Sequence, residues 1–301
     1  MRIAVTGGTG FVGSHLLDRA AAAGHQVRAL TRRQSPAQKN VWWVAGALDR
    51  PDTLRRLVEG CEAVVHVAGV INGSRDEFAA GNIAGTEAML DAAAGAGIGR
   101  FVHISSLAAR EPGLSAYGWS KCASEEVVIA AGGDWTILRP PAIYGPRDKE
   151  MLELFRLAKR GVVPLPRATR LSVIAVEDLC DLILACLDAA GSFARTYEPD
   201  DGREGGWTAP ALARAIGRAV GRRAVLPLPI PKAALMAVAR ADGLVRGART
   251  KLTADRVNYF THPDWTAAGH SHPPAGLWRA ATTTEEGLAA TARWYGQKGW
   301  L

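Results

Sequence analysis

The stretch Thr6-Gly7-Gly8-Thr9-Gly10-Phe11-Val12-Gly13 follows a short apolar run and opens a helical pattern. The run Ile3–Thr6 reads as a buried strand. Gly13–Ala23 reads as a helix with Leu16, Leu17 and Ala20 on one face. Glycines stand at 7, 10 and 13, three apart. One permits a tight turn, one lets backbone approach a pyrophosphate, and one lets helix pack on strand. The helix N-terminus adds unpaired N–H groups and the positive end of its dipole. In a strand–turn–helix setting this triplet reads as a dinucleotide loop. Gly7, Gly10, Phe11, Val12 and Gly13 are therefore candidate cofactor contacts.

Outward from the loop, strands and helices alternate. Further strands are predicted at Gln26–Leu30, Val41–Val44, Ala63–Val67, Arg100–Ile104 and Trp135–Leu138. Helices are predicted at Thr53–Glu59, Asn82–Ala94 and Tyr117–Ala131. Such alternation needs right-handed crossovers and gives a doubly wound parallel sheet, an α/β Rossmann-type architecture. After Arg139 prolines cluster, and helical patterns return at Glu150–Arg160, Glu177–Leu187, Ala209–Val220, Lys232–Val245 and Glu285–Tyr295. Residues 1–139 plus 173–190 are read as the sheet domain. Residues 140–172 plus 193–301 are read as a smaller, partly helical C-terminal cap that binds substrate. Pro227-Leu228-Pro229-Ile230-Pro231 reads as a stiff surface connection.

The 301 residues carry 48% apolar and 22% charged side chains, which excludes a disordered or low-complexity chain. Net charge is +7, from 36 basic and 29 acidic residues. The arginines are dispersed, so a phosphorylated small molecule accounts for the balance and a nucleic-acid partner is not expected. Four cysteines, at 61, 122, 180 and 186, form no CxxC motif and no disulfide framework. No signal segment and no membrane span is read, so a cytoplasmic location without stable membrane insertion is expected.

The second strand runs into Thr31-Arg32-Arg33. A site for NAD usually places an acid here, for the ribose 2′-hydroxyl. Thr31 holds that place, and guanidinium groups at Arg32 and Arg33 favour a 2′-phosphate. NADP(H) is the expected cofactor, with NAD(H) possible.

Ser106 closes the fifth strand, and Tyr117-Gly118-Trp119-Ser120-Lys121 follows eleven residues on. Tyr117 and Lys121 are i and i+4, so a helix puts them on one face. With five tyrosines and seven lysines in the chain, chance supplies this pair only about 0.1 times. A free phenol is a poor acid at neutral pH. A neighbouring ammonium is expected to lower its pKa, so that Tyr117 exchanges a proton with a substrate oxygen. Ser106 would hold that oxygen, and Lys121 would reach the ribose hydroxyls as well.

These stretches together resemble the extended, epimerase/dehydratase-like branch of the short-chain dehydrogenase/reductase superfamily. The resemblance rests on TGGTGFVG at 6–13, HVAG at 66–69, NIAGT at 82–86, Ser106, YGWSK at 117–121, LRPPAIYGP at 138–146 and Val176-Glu177-Asp178-Leu179. It implies that Ser106, Tyr117 and Lys121 form the catalytic triad and that Asn82 supports it. It also implies that Ala68 and Gly69 line the cofactor cleft and that Pro140 and Ile143 lie beside the nicotinamide. A homodimer is an expectation of the same kind. Three positions depart from the pattern: Ala47 stands where an adenine-reading aspartate is frequent, Ala175 where a histidine is frequent, and Pro146-Arg147-Asp148 lacks a glycine. Adenine recognition would then rest on backbone groups or Leu48.

His66 lines the cleft through its backbone or is a packed or surface histidine. Arg139 is either an ion-pair partner or an anion clamp. His262, Asp264, His270 and His272 are read as loop residues, and no metal site is expected. The basic, amphipathic stretch Lys232–Arg249 is expected to pack in the cap, and Trp42-Trp43 to pack in a strand. The functional expectation is hydride transfer between a carbonyl and a secondary alcohol, on a small, apolar carbonyl compound. The alternatives are a nucleotide-sugar epimerase or dehydratase with tightly held NAD(P), and a non-catalytic dinucleotide-sensing protein.

Overall fold

A computed structural model describes residues 1–167, 169–246 and 252–301. The chain forms two compact units: Met1–Pro140 with Val176–Pro199 and His270–Arg279, and Pro141–Ala175 with Asp200–Gly269 and Ala280–Leu301.

The first unit is built from β1 (Arg2–Thr6), α1 (Phe11–Ala22), β2 (Gln26–Thr31), β3 (Val41–Ala45), α2 (Pro51–Val58), β4 (Ala63–His66), α3 (Arg75–Phe78), α4 (Gly85–Gly95), β5 (Arg100–Ile104), α5 (Ala116–Ala131) and β6 (Asp134–Leu138). The strands lie parallel in the order β3-β2-β1-β4-β5-β6, and Arg195–Tyr197 adds a seventh beyond β6. The order reverses between β1 and β4, so the loops after those two strands flank the switch point of the sheet. Ile3, Ala4 and Val5 are fully buried, as a parallel strand covered on both faces requires. Leu54, Leu57, Met89, Phe101, Val128 and Ile137 join Ala4 and Val64 in one core cluster.

Local signals set the helix ends. Pro51 and Asp52 open α2. Ser74 and Glu77 form a reciprocal capping box on α3. Ser115 caps α5, and Gly132, at φ 71°, follows its last turn. The predicted helix Asn82–Ala94 is in fact two elements. A π-helical turn, Ala79–Ala84, precedes α4. That wider turn carries Asn82, whose side chain is engaged elsewhere.

The structure departs from the expected bounds at three segments: Val173–Ala175 falls in the second unit, and residues 193–199 and His270–Arg279 fall in the first. Thr196 pairs with Ile137 in the seventh strand. This strand is three residues long and bonded on one side only, so it shows no apolar run. His270–Arg279 packs with the first unit, where the Trp278 indole donates to the Asp178 carbonyl at 3.0 Å.

The second unit gathers the helices Leu152–Arg160, Ala209–Ala219 and Thr284–Gln297 around Tyr144, Phe155, Ile216, Leu288 and Tyr295. Ala142–Tyr144 pairs in parallel with Val173–Ala175. The Pro227–Pro231 stretch is no mere connection. Leu226–Ile230 is a strand that pairs in parallel with Val162–Pro166. Both strands are edges of a two-stranded sheet, so their proline nitrogens need no ladder partner. The helix Lys232–Arg246 lies in the second unit and packs one face, with Leu235 and Met236 half-buried. Ala239 is buried, but Val238 and Leu244 are exposed. Gly247, Ala248 and Arg249, the end of the predicted stretch, lie outside the described residues. Trp43 anchors its indole on the Pro36 carbonyl at 2.8 Å, whereas Trp42 is half exposed on β3.

Candidate functional site

The glycine loop is held by close backbone approach. Gly7, at φ 74°, lies so near the end of β4 that a Cβ there would sit 2.6 Å from the Ala68 nitrogen. A Cβ on Gly13 would run into the Gly7 carbonyl oxygen. Gly10 N–H donates to that same oxygen at 2.9 Å. The first intrahelical bond of α1 runs from Ser14 N–H to the Gly10 carbonyl. The amides of Phe11, Val12 and Gly13 precede it and point out of the helix start. Gly10 offers no side-chain cap, and no acidic residue stands in the first turn. This is a cradle of backbone donors at the positive end of a helix, and it fits a pyrophosphate.

At the end of β2 the Thr31 hydroxyl is used locally. It donates to the Arg33 carbonyl at 2.6 Å and accepts from Arg33 N–H at 3.2 Å. The turn leaves Arg32 and Arg33 exposed, without an ion-pair partner among the described residues. Leu48 is half-buried and packs into the core cluster beside Gly85.

Thr6 ties β1 to β4. Its Oγ1 accepts from Ala68 N–H at 3.2 Å and shares a 2.8 Å hydrogen bond with His66 Nδ1. His66 Nε2 meets Thr86 Oγ1 at 3.2 Å, and its ring stacks on His103. His66 is therefore the packed alternative. Burial, with Lys121 nearby, pushes its pKa down to about 3, so it is neutral. His103 is lowered likewise, by burial first and then by Lys121 and His66.

Asn82 is buried and works with both ends of its amide. Its Oδ1 accepts from Val70 N–H at 2.6 Å, and its Nδ2 donates to the Val70 carbonyl at 3.0 Å and to Ser120 Oγ at 2.9 Å. The segment after Gly69 is thereby pinned to α5.

Ser106, at the end of β5, caps a short 3₁₀ turn by accepting from Ala108 N–H at 3.2 Å. Its hydroxyl also hydrogen-bonds to the Tyr117 phenol. Phe78 of α3 lies 6.0 Å from the Tyr117 ring, centroid to centroid. Lys121, one turn along α5, is buried and donates to the Ile104 carbonyl at 2.7 Å. Its Nζ lies 4.0 Å from where a Gly69 Cβ would stand. Pro140 accepts from Leu107 N–H at 3.1 Å, one residue beyond Ser106. Ile143 belongs to the second unit, in the strand paired with Ile174.

The electrostatics differ from the sequence expectation. Burial pushes the Tyr117 phenol above its ordinary value, and the Ser106 hydrogen bond only partly opposes this. Burial and the Ser106 hydrogen bond are the causes that set it, while the Lys121 ammonium donates to the Ile104 carbonyl. Burial lowers Lys121 itself to about 8, and Glu125 acts against that shift. The phenol is thus a protonated donor at neutral pH.

Arg139 is the ion-pair partner of the two readings. Its Nη2 meets Glu125 Oε2 at 2.6 Å, and its Nη1 lies 3.5 Å from Glu198. Glu198 also pairs with Arg110 at 3.1 Å, and Glu125 accepts from Ser105. This network fixes α5 against the ends of β5 and β6. Sequence reasoning singled out none of Thr6, Ser105, Ser120, Thr86 or Glu125. Their roles are set by partners 14 to 62 residues away, which a local pattern does not display. His262 packs tilted against Trp265 and Asp264 accepts from Thr266 in the second unit, whereas His270 and His272 belong to the first. Among the described residues no group of three His, Cys, Asp or Glu could hold a metal ion.

A family model described as the NAD dependent epimerase/dehydratase family matches residues 3–197. Ceramide reductase of Caulobacter vibrioides is 38% identical over 99% of this chain and 96% of its own length. The 2-alkyl-3-oxoalkanoate reductase of Stenotrophomonas maltophilia is 33% identical over 54% of this chain and 56% of its own. Among solved structures, MoeE5 in complex with UDP-glucose and NAD superposes with a TM-score of 0.76 at 21% identity, covering 99% of both chains. At that identity the likeness speaks for the fold alone. The chain belongs to the NAD-dependent epimerase/dehydratase family and is an NAD(P)-dependent oxidoreductase of the extended short-chain dehydrogenase/reductase type.

Proposed function

We propose that this protein is an NADP(H)-dependent reductase of apolar, lipid-like carbonyl compounds. The observation that carries the reading is the hydrogen bond between Ser106 and a phenol that burial keeps protonated, with Lys121 one helical turn away beside Gly69. The dinucleotide would lie on the amides at the start of α1, with Gly7 and Gly13 admitting its pyrophosphate, and when bound it supplies the hydride. Ser106 holds the substrate carbonyl oxygen by hydrogen bond. Tyr117 donates its proton to that oxygen as the alcohol forms. Lys121 holds ribose hydroxyls, and Asn82 positions α5 and the Gly69 segment around them. The Arg32 and Arg33 guanidinium groups, unpaired where an acid would select NAD, favour a 2′-phosphate. The relatives named as reductases of ceramide and of an oxoalkanoate support an apolar substrate.

The test is net turnover. The chain with NADPH and a long-chain 3-oxo amide or ester should consume NADPH and yield the alcohol, with NADH a poorer donor. Arg32→Ala should weaken NADPH binding about tenfold, the loss of one charged contact, and leave NADH unchanged. No NADPH consumption with any apolar ketone, together with epimerisation of UDP-glucose by retained cofactor, would overturn the reading.

A further inference from the structure

The second unit carries a face that the reductase chemistry does not use. In the sheet of Val162–Pro166 and Leu226–Ile230, Leu226 stands opposite Val162 and Leu228 opposite Pro164. All four are exposed, Leu226 at 61%, whereas Val163, pointing to the other face, is buried. The ribbon thus turns an aliphatic face to solvent, where alternation would call for polar side chains. The helix Lys232–Arg246 begins one residue after this strand. Its side turned from Ala239 carries Ala234, Ala237, Val238, Ala241 and Leu244, with Leu244 90% exposed. Their spacing of three and four is that of one helical stripe.

Charge around this apolar surface is mostly of one sign, Asp242 being the one acidic residue on the helix Lys232–Arg246. Residues 154–176 and 205–241 contain eleven Lys and Arg and no Asp or Glu. Over whole units, the second holds twenty basic and eleven acidic residues, and the first holds sixteen and eighteen. The excess is therefore local. Lys159, Arg160, Arg222 and Arg223 cluster at one end of the ribbon, where Arg222 Nε donates to the Lys159 carbonyl at 2.7 Å. Arg167 and Lys232 stand at the other end, where Arg167 N–H meets the Ile230 carbonyl. Nucleic acid would use the arginines and leave the aliphatic face wet. A second copy of this unit would bring like charge against like. An anionic bilayer satisfies both features, with basic groups at the lipid phosphates and leucines at the acyl boundary.

We propose that the second unit docks peripherally on anionic membrane surfaces through the Val162/Leu226/Leu228 ribbon face and the apolar stripe of the helix Lys232–Arg246. No described helix is long and apolar enough to cross a membrane, so the contact is interfacial. The proposal is independent of the reductase reading.

The full chain is sedimented with phosphatidylcholine vesicles, with and without about one-third phosphatidylglycerol. It should pellet with the anionic vesicles, stay in solution with the neutral ones, and be released by high salt. Leu226→Glu/Leu228→Glu and Arg222→Glu/Arg223→Glu should each weaken partitioning about tenfold or more, since each adds or reverses charge at the lipid surface. Circular dichroism and thermal melting verify that both variants fold, and turnover of a water-soluble ketone should be unchanged. Three results would overturn the proposal: no pelleting with anionic vesicles, wild-type pelleting by the Leu226→Glu/Leu228→Glu variant, or a solution dimer that this variant splits.

Discussion

Tyr117 and Lys121 are spaced so that one helix face carries both, yet the structure gives them different electrostatic roles. The phenol stays protonated because it is buried and bonded to Ser106. The ammonium is the group that titrates near physiological pH, at about 8. Its folded value lies below that of a free lysine, so it loses its charge as pH rises through 8. If Lys121 holds ribose hydroxyls, NADPH affinity should fall across that range. Lys121→Arg keeps its charge to far higher pH and should shift this basic limb upward by at least one unit. Fluorescence titration of NADPH from pH 6 to 10 checks it, and a limb that does not move would tie the loss of affinity to another group. Arg139 resolves at the same scale. A sequence shows an arginine after a strand, but only the fold brings Glu125 and Glu198 to it.

At the scale of elements, the β1–α1 turn is tightly constrained. Gly13→Ala sets a methyl against the Gly7 carbonyl, so the turn must open. Overpacking of this kind costs about 1–3 kcal/mol. The variant should melt lower than wild type and lose NADPH binding, because the α1 amides no longer converge. Calorimetry and ligand titration together check this, and unchanged NADPH affinity would mean that the pyrophosphate does not lie there. This turn was legible in the sequence because its requirements are local: three glycines, an apolar strand before and an amphipathic helix after. The six strands from β1 to β6 were legible for the same reason, as short apolar runs bounded by turn residues, although β3 buries only Val41. The seventh strand was not, since Arg195-Thr196-Tyr197 owes its place to β6 and not to its own pattern. The Leu226–Ile230 strand was hidden by its prolines, which edge pairing tolerates. The π-helical turn at Asn82 was hidden because the demand for it comes from Val70 and Ser120, far along the chain.

For the whole molecule, one buried group in each unit should respond to acid, the two in opposite senses. In the first, His66 is held neutral down to about 3. An unfolded histidine binds its proton at about 6.5, so acidification below that value favours unfolding of this unit. In the second, Asp148 is buried. Its carboxylate accepts from the amides of Glu150 and Met151, its carbonyl accepts from the Tyr295 hydroxyl, and burial raises its pKa to about 6. There the folded state binds the proton more tightly than the unfolded one. Stability from this group is present below the unfolded value near 4 and declines as pH rises to 6. Asp148→Asn removes that decline, so its melting temperature relative to wild type should climb from pH 4 to 6.5. A constant difference across that range would show that Asp148 titrates normally. The functional account rests on one group, the Tyr117 phenol acting as proton donor to a carbonyl whose hydride comes from the dinucleotide. Its most direct test measures NADPH affinity and single-turnover reduction of an apolar ketone in Tyr117→Phe. The account predicts unchanged affinity with a rate reduced about a thousandfold or more; a variant that binds NADPH and reduces the ketone at the wild-type rate would contradict it.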